Sequence, residues 1–520
     1  MDIDKKIDIK KTILIYSKNF AIVIFLTFGL VISTTPPKPL FYANQNTYFI
    51  HGLASIDFGN LGNDWLAKTK DPFPVFSYLV KVLYPIGGKI SFVVMYYLVL
   101  VVYFWTLFGI IINILNLTSF YSKLFVYLII IFLYSNELTL LATKYLNFYL
   151  TSFFTDGVAG QYLIGKSFEP SIFGVFIFIS LYFFIKRKIR LSIIFLIITV
   201  YFHASYLLSV LIFFTSYCVY LILHKYKNLY KIIFIFIFLM VPVIIFYMSF
   251  YLPLESTGVD AKKILYNYRI PHHANIVYWL NIESTLKYLL LVLSIFFIKN
   301  RKFKIILIIP VVLLIILSII QLITNSIELG LLFPWRISVI LMPLLSIILM
   351  YNLTFGLLEN YLSANTKSYL IFPMISLIFL FSILGIKNYK IYANTHTSYI
   401  TDKVFNFVRQ NRQIYDQYVV PLQMENFRLE TGVPVFIDFK SHPYKSEELV
   451  EWYSRVILAD KIVNCDSTLN TCVISTLIKK YNVTHLLLEK YKIQENIKLF
   501  KSYLYEDDFY IILKLQDIIL

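Results

Sequence analysis

Lys299-Asn300-Arg301-Lys302-Phe303-Lys304 runs directly into Ile305-Ile306-Leu307-Ile308-Ile309-Pro310-Val311-Val312-Leu313-Leu314, and no charge follows as far as Ile323. A helix needs about 20 apolar residues to cross the hydrocarbon core of a bilayer, and this run supplies them. Lys and Arg stay on the cytoplasmic side during insertion, so the basic cluster marks the inner end of a span. The same pairing recurs upstream and downstream. Apolar runs lie near 18–34, 90–112, 123–141, 171–185, 232–252, 285–298, 305–323, 337–356 and 368–386. Between Leu191 and Leu223 the pattern breaks at His203-Ala204-Ser205, with basic residues at both ends. Two short helices meeting near the outer surface fit that break. The expectation is an α-helical polytopic membrane protein with about eleven spans.

Charge orients it. The short loops 1–18, 113–123, 186–190, 224–231, 299–304 and 357–367 hold eighteen Lys and Arg against four Asp and Glu. The rest of residues 1–386 holds twelve against ten, so positive charge is concentrated on one side. This predicts a cytoplasmic N-terminus and, after an odd number of crossings, an external C-terminal segment. A hydrophobic content of 58% and a mean hydropathy of +0.71 exclude a soluble fold of this length. The net charge of +17 sits in clusters such as Lys186-Arg187-Lys188 that abut apolar runs. That placement indicates topology anchors and contacts with anionic lipid, not nucleic-acid binding. The basic N-terminus followed by Phe20 to Ile32 lacks a small-residue cleavage site and reads as a retained first helix. Abundant Ile, Lys, Asn, Tyr and Phe point to an AT-rich genome and a bacterial plasma membrane.

The loops assigned to the outer face are long: 35–89, ending in the amphipathic stretch Phe73 to Leu83, then 142–170 and 253–284. Connections between packed helices usually take about 2–8 residues, so one face is built to do something. A fourth, short loop contains Glu328 and Pro334-Trp335-Arg336. From residue 387 to 520 the composition becomes that of a small α/β domain. Val419-Val420, Val433 to Phe439, Thr484 to Leu488 and Phe509 to Leu515 read as strands, Glu447 to Val463 and Ser475 to Tyr481 as helices. Cys465 and Cys472 fall in this domain, where a disulfide and two free thiols are both compatible with an external location.

The first long loop carries a motif. It reads Asn44-Gln45-Asn46-Thr47-Tyr48, then Gly62-Asn63-Asp64-Trp65, then Asp71-Pro72-Phe73-Pro74. This resembles the GT-C superfamily, polytopic glycosyltransferases that take sugar from a polyprenyl-phosphate carrier outside the membrane. The Gly-Asp-Trp-like turn and the Pro-rich start of the next helix match members related to the aminoarabinose and protein mannosyl transferases. The acidic pair of those members is replaced by Asn44-Gln45. Phe427 to Phe436, Asp438 to Tyr444 and Glu451 to Arg455 resemble a second group, uncharacterised and largely cyanobacterial polytopic proteins. That likeness also takes in Gln161-Tyr162-Leu163-Ile164-Gly165 and Pro271-His272-His273, and it implies no activity.

The GT-C resemblance implies a sugar transferase with a carboxylate near the acceptor. An amide can hydrogen-bond but cannot take a proton, so Asp64 and Asp71 are the candidate bases, with Asp57 third; should neither of the first two serve, Asp57, Asp156 and Glu169 are the carboxylates left. Arg336 and Arg269 are candidates for holding a carrier phosphate, since a guanidinium fork matches its oxygens. His272, His273, Asn44 and Gln45 are candidates for substrate contact. No cofactor is implied; a divalent metal is compatible, although adjacent His272 and His273 diverge and form no ligand set alone. A non-catalytic scaffold binding glycan or lipid is the main rival, and a transporter a weaker one. A reporter fused after Lys302 is expected to score cytoplasmic and one after Lys440 external; the reverse at either point overturns the assignment of sides.

Overall fold

The computed structural model describes residues 28–34, 38–251, 261–357, 363–395, 401–463, 471–492 and 503–516. Among these, six helices are long and apolar enough to cross a membrane, or seven if a pair bent by 56° counts as one. The six are Pro74–Leu115, Ala204–Leu223, Leu229–Phe250, Arg301–Thr324, Ile327–Gly356 and Tyr369–Lys390. The bent pair, Phe120–Tyr134 and Asn136–Leu146, turns at Ser135, whose hydroxyl accepts from the Leu138 N–H and caps the second helix. The protein is a polytopic helical membrane protein.

Fewer helices reach spanning length than the eleven runs suggested, for a local reason. The runs near 171–185 and 285–298 fold as Val175–Ile185 and Ile282–Phe296, 11 and 15 residues long. Most of the run 18–34 lies outside the described residues, as does Cys465. The break at His203 is as expected: Ile189–Phe202 ends there and Leu207–Leu223 begins after one turn, with His203 Nδ1 accepting from the Ser205 N–H at 3.2 Å. Helix Pro74–Leu115 is kinked at Gly87-Gly88, where its backbone leaves the helical region. The amphipathic first part and the following span are therefore one bent element.

The C-terminal part carries four strands, β1 (Tyr418–Val419), β2 (His485–Glu489), β3 (Tyr505–Glu506) and β4 (Tyr510–Lys514), in the order β1-β2-β4-β3. β1 and β2 are parallel and the other pairs antiparallel. Helices Asp402–Asn411, Ser446–Val463 and Thr471–Tyr481 accompany them. Val433 to Phe439 is a correction: it meets Tyr418 only through an isolated bridge at Val435. Pro434 has no N–H to extend a ladder, and Asp438 opens a turn.

Helix Ala364–Thr395 spans the position at Lys387 where the change of composition begins. The C-terminal part is not a separate globule. Ala261, Ile264 and Leu265 of the third loop share its apolar core, while Leu429 belongs to the core of the helical half. The Asn60 N–H donates to the Gly432 carbonyl (2.7 Å) and Asn60 Nδ2 to the Gln413 carbonyl (2.7 Å). At this crossing Gly59 and Gly432 face each other, both left-handed, with φ of 59° and 71°.

A buried ion relay completes the joint. Arg428 donates from Nε to Asp64 (2.7 Å) and from Nη1 to Asp438 (2.6 Å), all three side chains almost fully buried. Trp65, beside it, lies under the Arg455 guanidinium at 4.3 Å. A methyl group on Gly59 would stand 2.3 Å from the Gly432 oxygen, too close for any contact. Gly59→Ala is expected to destabilise the protein by about 1–3 kcal/mol, from this clash and the left-handed backbone together. Unchanged thermal unfolding would mean that the two chain segments do not meet there.

Candidate functional site

A cluster of largely buried polar side chains, termed the chamber below, joins the long loops to the C-terminal segment 438–444. Its organising residue is Arg336, and local sequence explains its position. Phe333 is left-handed (φ 50°), Pro334 starts a single 3-10 turn, and Trp335 is fully buried. Trp335 Nε1 donates to the His273 carbonyl (2.8 Å), and its ring lies 4.8 Å from that of Trp279. These contacts tie the third loop to the start of helix Ser338–Tyr351. Arg336 then lies over the Tyr206 ring at 4.7 Å, only 9% exposed, with no partner for its Nε–H among the described residues.

Glu169 faces the same space. It is 3% exposed and accepts from the Ser171 hydroxyl at 2.7 Å through Oε1. Oε2 has no hydrogen-bond partner among the described residues. Burial raises its pKa above the usual carboxylate value, opposed by Ser171, the positive charge of Arg336, the amide of Asn44 and the charge of Lys440. Asn44 therefore approaches the carboxyl closely enough to favour its charged form, short of filling Oε2.

Gln45 shows why Asn44 sits there. Its Nε2 donates to the Phe168 carbonyl (2.9 Å) and its Oε1 accepts from the Tyr42 N–H (3.1 Å). Both ends of the amide serve backbone, so Gln45 braces the first loop against the second. A second tie runs from the Lys38 N–H to the Lys166 carbonyl at 2.6 Å. The braces place an acid from the second loop beside Asn44, where the motif of the first loop has none.

The two expected bases are placed elsewhere. Asp64 has 0% exposure, and Oδ2 accepts from both Arg428 and the Val435 N–H while Oδ1 accepts from the Leu66 N–H at 2.8 Å. Fully buried and ion-paired with Arg428, it anchors the joint between the two parts of the chain. Asp71 Oδ1 accepts from the Phe73 N–H (2.8 Å), a turn that launches the helix at Pro74, and its charge bears on His51. Asp156 is a buried carboxyl set against Lys287 and pushed up to about 7 by burial.

Arg269 and the histidine pair lie on the other side of the chamber. Arg269 is 7% exposed and donates from Nη2 to the Lys440 carbonyl at 2.5 Å. The His272 and His273 rings lie with centroids 4.2 Å apart, tilted by 50° to one another. Burial, with the charges of Arg269 and Lys440, lowers the pKa of His272. Burial and neighbouring charge bring His273 down to about 3, so it is neutral at physiological pH. Among the described residues no three His, Cys, Asp or Glu side chains gather to hold a metal ion. His273 Nδ1 has no hydrogen-bond partner among the described residues.

Sequence reasoning missed Lys440, His442, Tyr48 and Tyr444 as wall residues. Tyr48 and Tyr444 both pack on Phe73, at 4.9 and 5.5 Å, and Tyr48 also faces His203 at 6.1 Å. The signal available was the polar, aromatic run Lys440-Ser441-His442-Pro443-Tyr444, which suits no strand interior.

A family profile described as a domain of unknown function (DUF6798) matches residues 401–459. No curated protein matches the chain. The matched stretch includes Arg428, Asp438, Lys440, His442 and Tyr444, and so holds both the anchor and one wall of the chamber.

The Asp64 arrangement separates anchor from base. Asp64→Asn is expected to lower stability by about 3 kcal/mol, because a buried guanidinium loses one of its two counter-charges. Thermal unfolding of the purified protein measures this. A variant of undiminished stability would restore Asp64 as a candidate base.

Proposed function

We propose that this protein is a GT-C-like glycosyltransferase of about eleven membrane crossings. Its N-terminus is cytoplasmic, and its chamber opens on the outer face of a bacterial plasma membrane. It moves a sugar from a polyprenyl-phosphate donor to a hydroxyl or amide acceptor. The carrying observation is the buried Glu169 carboxyl, flanked by Asn44 and within the field of Arg336, with one oxygen unpartnered.

The chemistry follows from that pair. Glu169 Oε2 takes the proton of the acceptor as its oxygen or nitrogen bonds to the anomeric carbon. The bond from that carbon to the phosphate oxygen breaks, and the negative charge gained by the leaving phosphate is met by Arg336. A guanidinium held on an aromatic face is pre-oriented for a planar two-donor contact with phosphate. The exposed apolar faces of Leu229–Phe250 and Tyr369–Lys390, 22% and 17% buried in their apolar windows, suit contact with lipid and with a polyprenyl chain. The amides at Asn44-Gln45 favour the rival reading, a non-catalytic glycan or lipid binder using the same chamber.

Radiolabelled polyprenyl-phosphate sugars supplied to purified membranes test the proposal. Glu169→Gln is expected to cut transfer by about 10²-fold or more with carrier binding retained, since only the proton acceptor changes. Arg336→Lys is expected to weaken carrier binding, because the ammonium keeps the charge and loses the fork. The base works only when ionised, and burial raises the Glu169 pKa. Activity should therefore decline with falling pH at values above the ordinary carboxylate range. Full transfer by Glu169→Gln would remove Glu169 as base. Binding without transfer by the unmutated protein, with every donor supplied, would favour the rival.

A further inference from the structure

The chamber has two positive poles. The charge of Arg336 bears on Glu169 and His203. The charges of Arg269 and Lys440 bear on one another, on His272 and on His442. The Tyr48 hydroxyl interacts electrostatically with both Arg336 and Arg269.

At the second pole the cations have no counter-charge in contact. Among the described residues neither Arg269 nor Lys440 forms an ion pair. Both oxygens of Asp438 are committed, Oδ2 to Arg428 and Oδ1 to the Ser441 N–H at 2.6 Å. Glu425 lies in the field of both cations without pairing with either; burial raises its pKa, and Lys440 and Arg269 oppose that rise. Arg269 Nε and His442 Nε2 have no hydrogen-bond partner among the described residues.

This pole is also rigidly constructed. The Asp438–Ser441 turn fixes the backbone around Lys440, whose carbonyl accepts from Arg269 Nη2 and from the Thr47 hydroxyl at 3.4 Å. Burying a guanidinium without an anion is unfavourable, so a site held this firmly around two unpaired cations is shaped for a ligand. A carboxylate brings one negative charge; a phosphate monoester brings between one and two, which matches two cations.

We propose that Arg269 and Lys440 form a second phosphate-binding subsite, apart from the one at Arg336. Its ligand is a monoester-type phosphate, carried either as the terminal phosphate of a polyprenyl diphosphate or on the acceptor. The proposal rests on the chamber described above, and it stands whether or not transfer occurs, because its test reads binding alone.

The test uses the full-length protein in nanodiscs, titrated with polyprenyl monophosphate, polyprenyl diphosphate and soluble glycerol phosphate. Lys440→Met is expected to weaken either diphosphate or glycerol phosphate binding at least tenfold, with the monophosphate unaffected, and Lys440→Arg to restore it. Loss confined to the diphosphate identifies the carrier as the source; loss of glycerol phosphate identifies the acceptor. Unchanged binding of all three probes overturns the proposal, as does an equal loss for monophosphate and diphosphate. Should Lys440→Met fold poorly, labelling of Lys440 by acetic anhydride in the unmutated protein reads the same site. Protection by pyrophosphate or glycerol phosphate supports the subsite, and no protection by either overturns it.

Discussion

The contact on which the rest of the structure depends is the buried relay Asp64–Arg428–Asp438. It joins a turn in the first long loop to a turn near the C-terminus, more than 360 positions away in sequence. Two carboxylates around one guanidinium satisfy the charge that burial would otherwise make costly. Asp64 also accepts from the Val435 N–H, and Asp438 from the Ser441 N–H, so the relay fixes backbone on both sides of the joint. The wall residues Lys440, His442 and Tyr444 hang from that backbone. Without the relay the chamber would have no second side.

Charge within the chamber is distributed unlike charge at the joint. At the joint every carboxylate oxygen is engaged. In the chamber, among the described residues, three cations form no ion pair, and burial raises the pKa of the nearby Glu169 and Glu425 against the pull of those cations. The neighbouring histidines are held neutral by the same burial and by the cations themselves. The result is a space with excess positive charge and unpartnered polar atoms, a condition that favours an anionic ligand.

The motif of the first loop has a different meaning in three dimensions from its meaning in sequence. Asn44-Gln45 stands where related motifs have acid, yet Gln45 clamps the second loop and brings Glu169 to Asn44. The carboxylate is supplied from about 125 residues downstream in the chain. Asp64, which looks like the acid of the motif, is instead the anchor of the fold.

The sequence by itself determined the class of protein, because membrane spans are local: length and apolarity of a single run settle them. The break at His203, the helices Ser446–Val463 and Thr471–Tyr481 and the closing strand were legible for the same reason, each being encoded within its own few residues. Arg336 stood out because Pro334 and Trp335 fix it locally. What tertiary structure alone decided is which charges meet. Asp64, Asp71 and Glu169 are equally plain carboxylates in a linear chain, and only their partners distinguish an anchor, a turn former and a free acid. The isolated segment Val433 to Phe439 read as a strand because apolar alternation carries no information on whether a neighbouring strand is there to pair with it. Composition changes at Lys387, whereas the helix continues, since its backbone bonds are satisfied internally on either side of a bilayer surface.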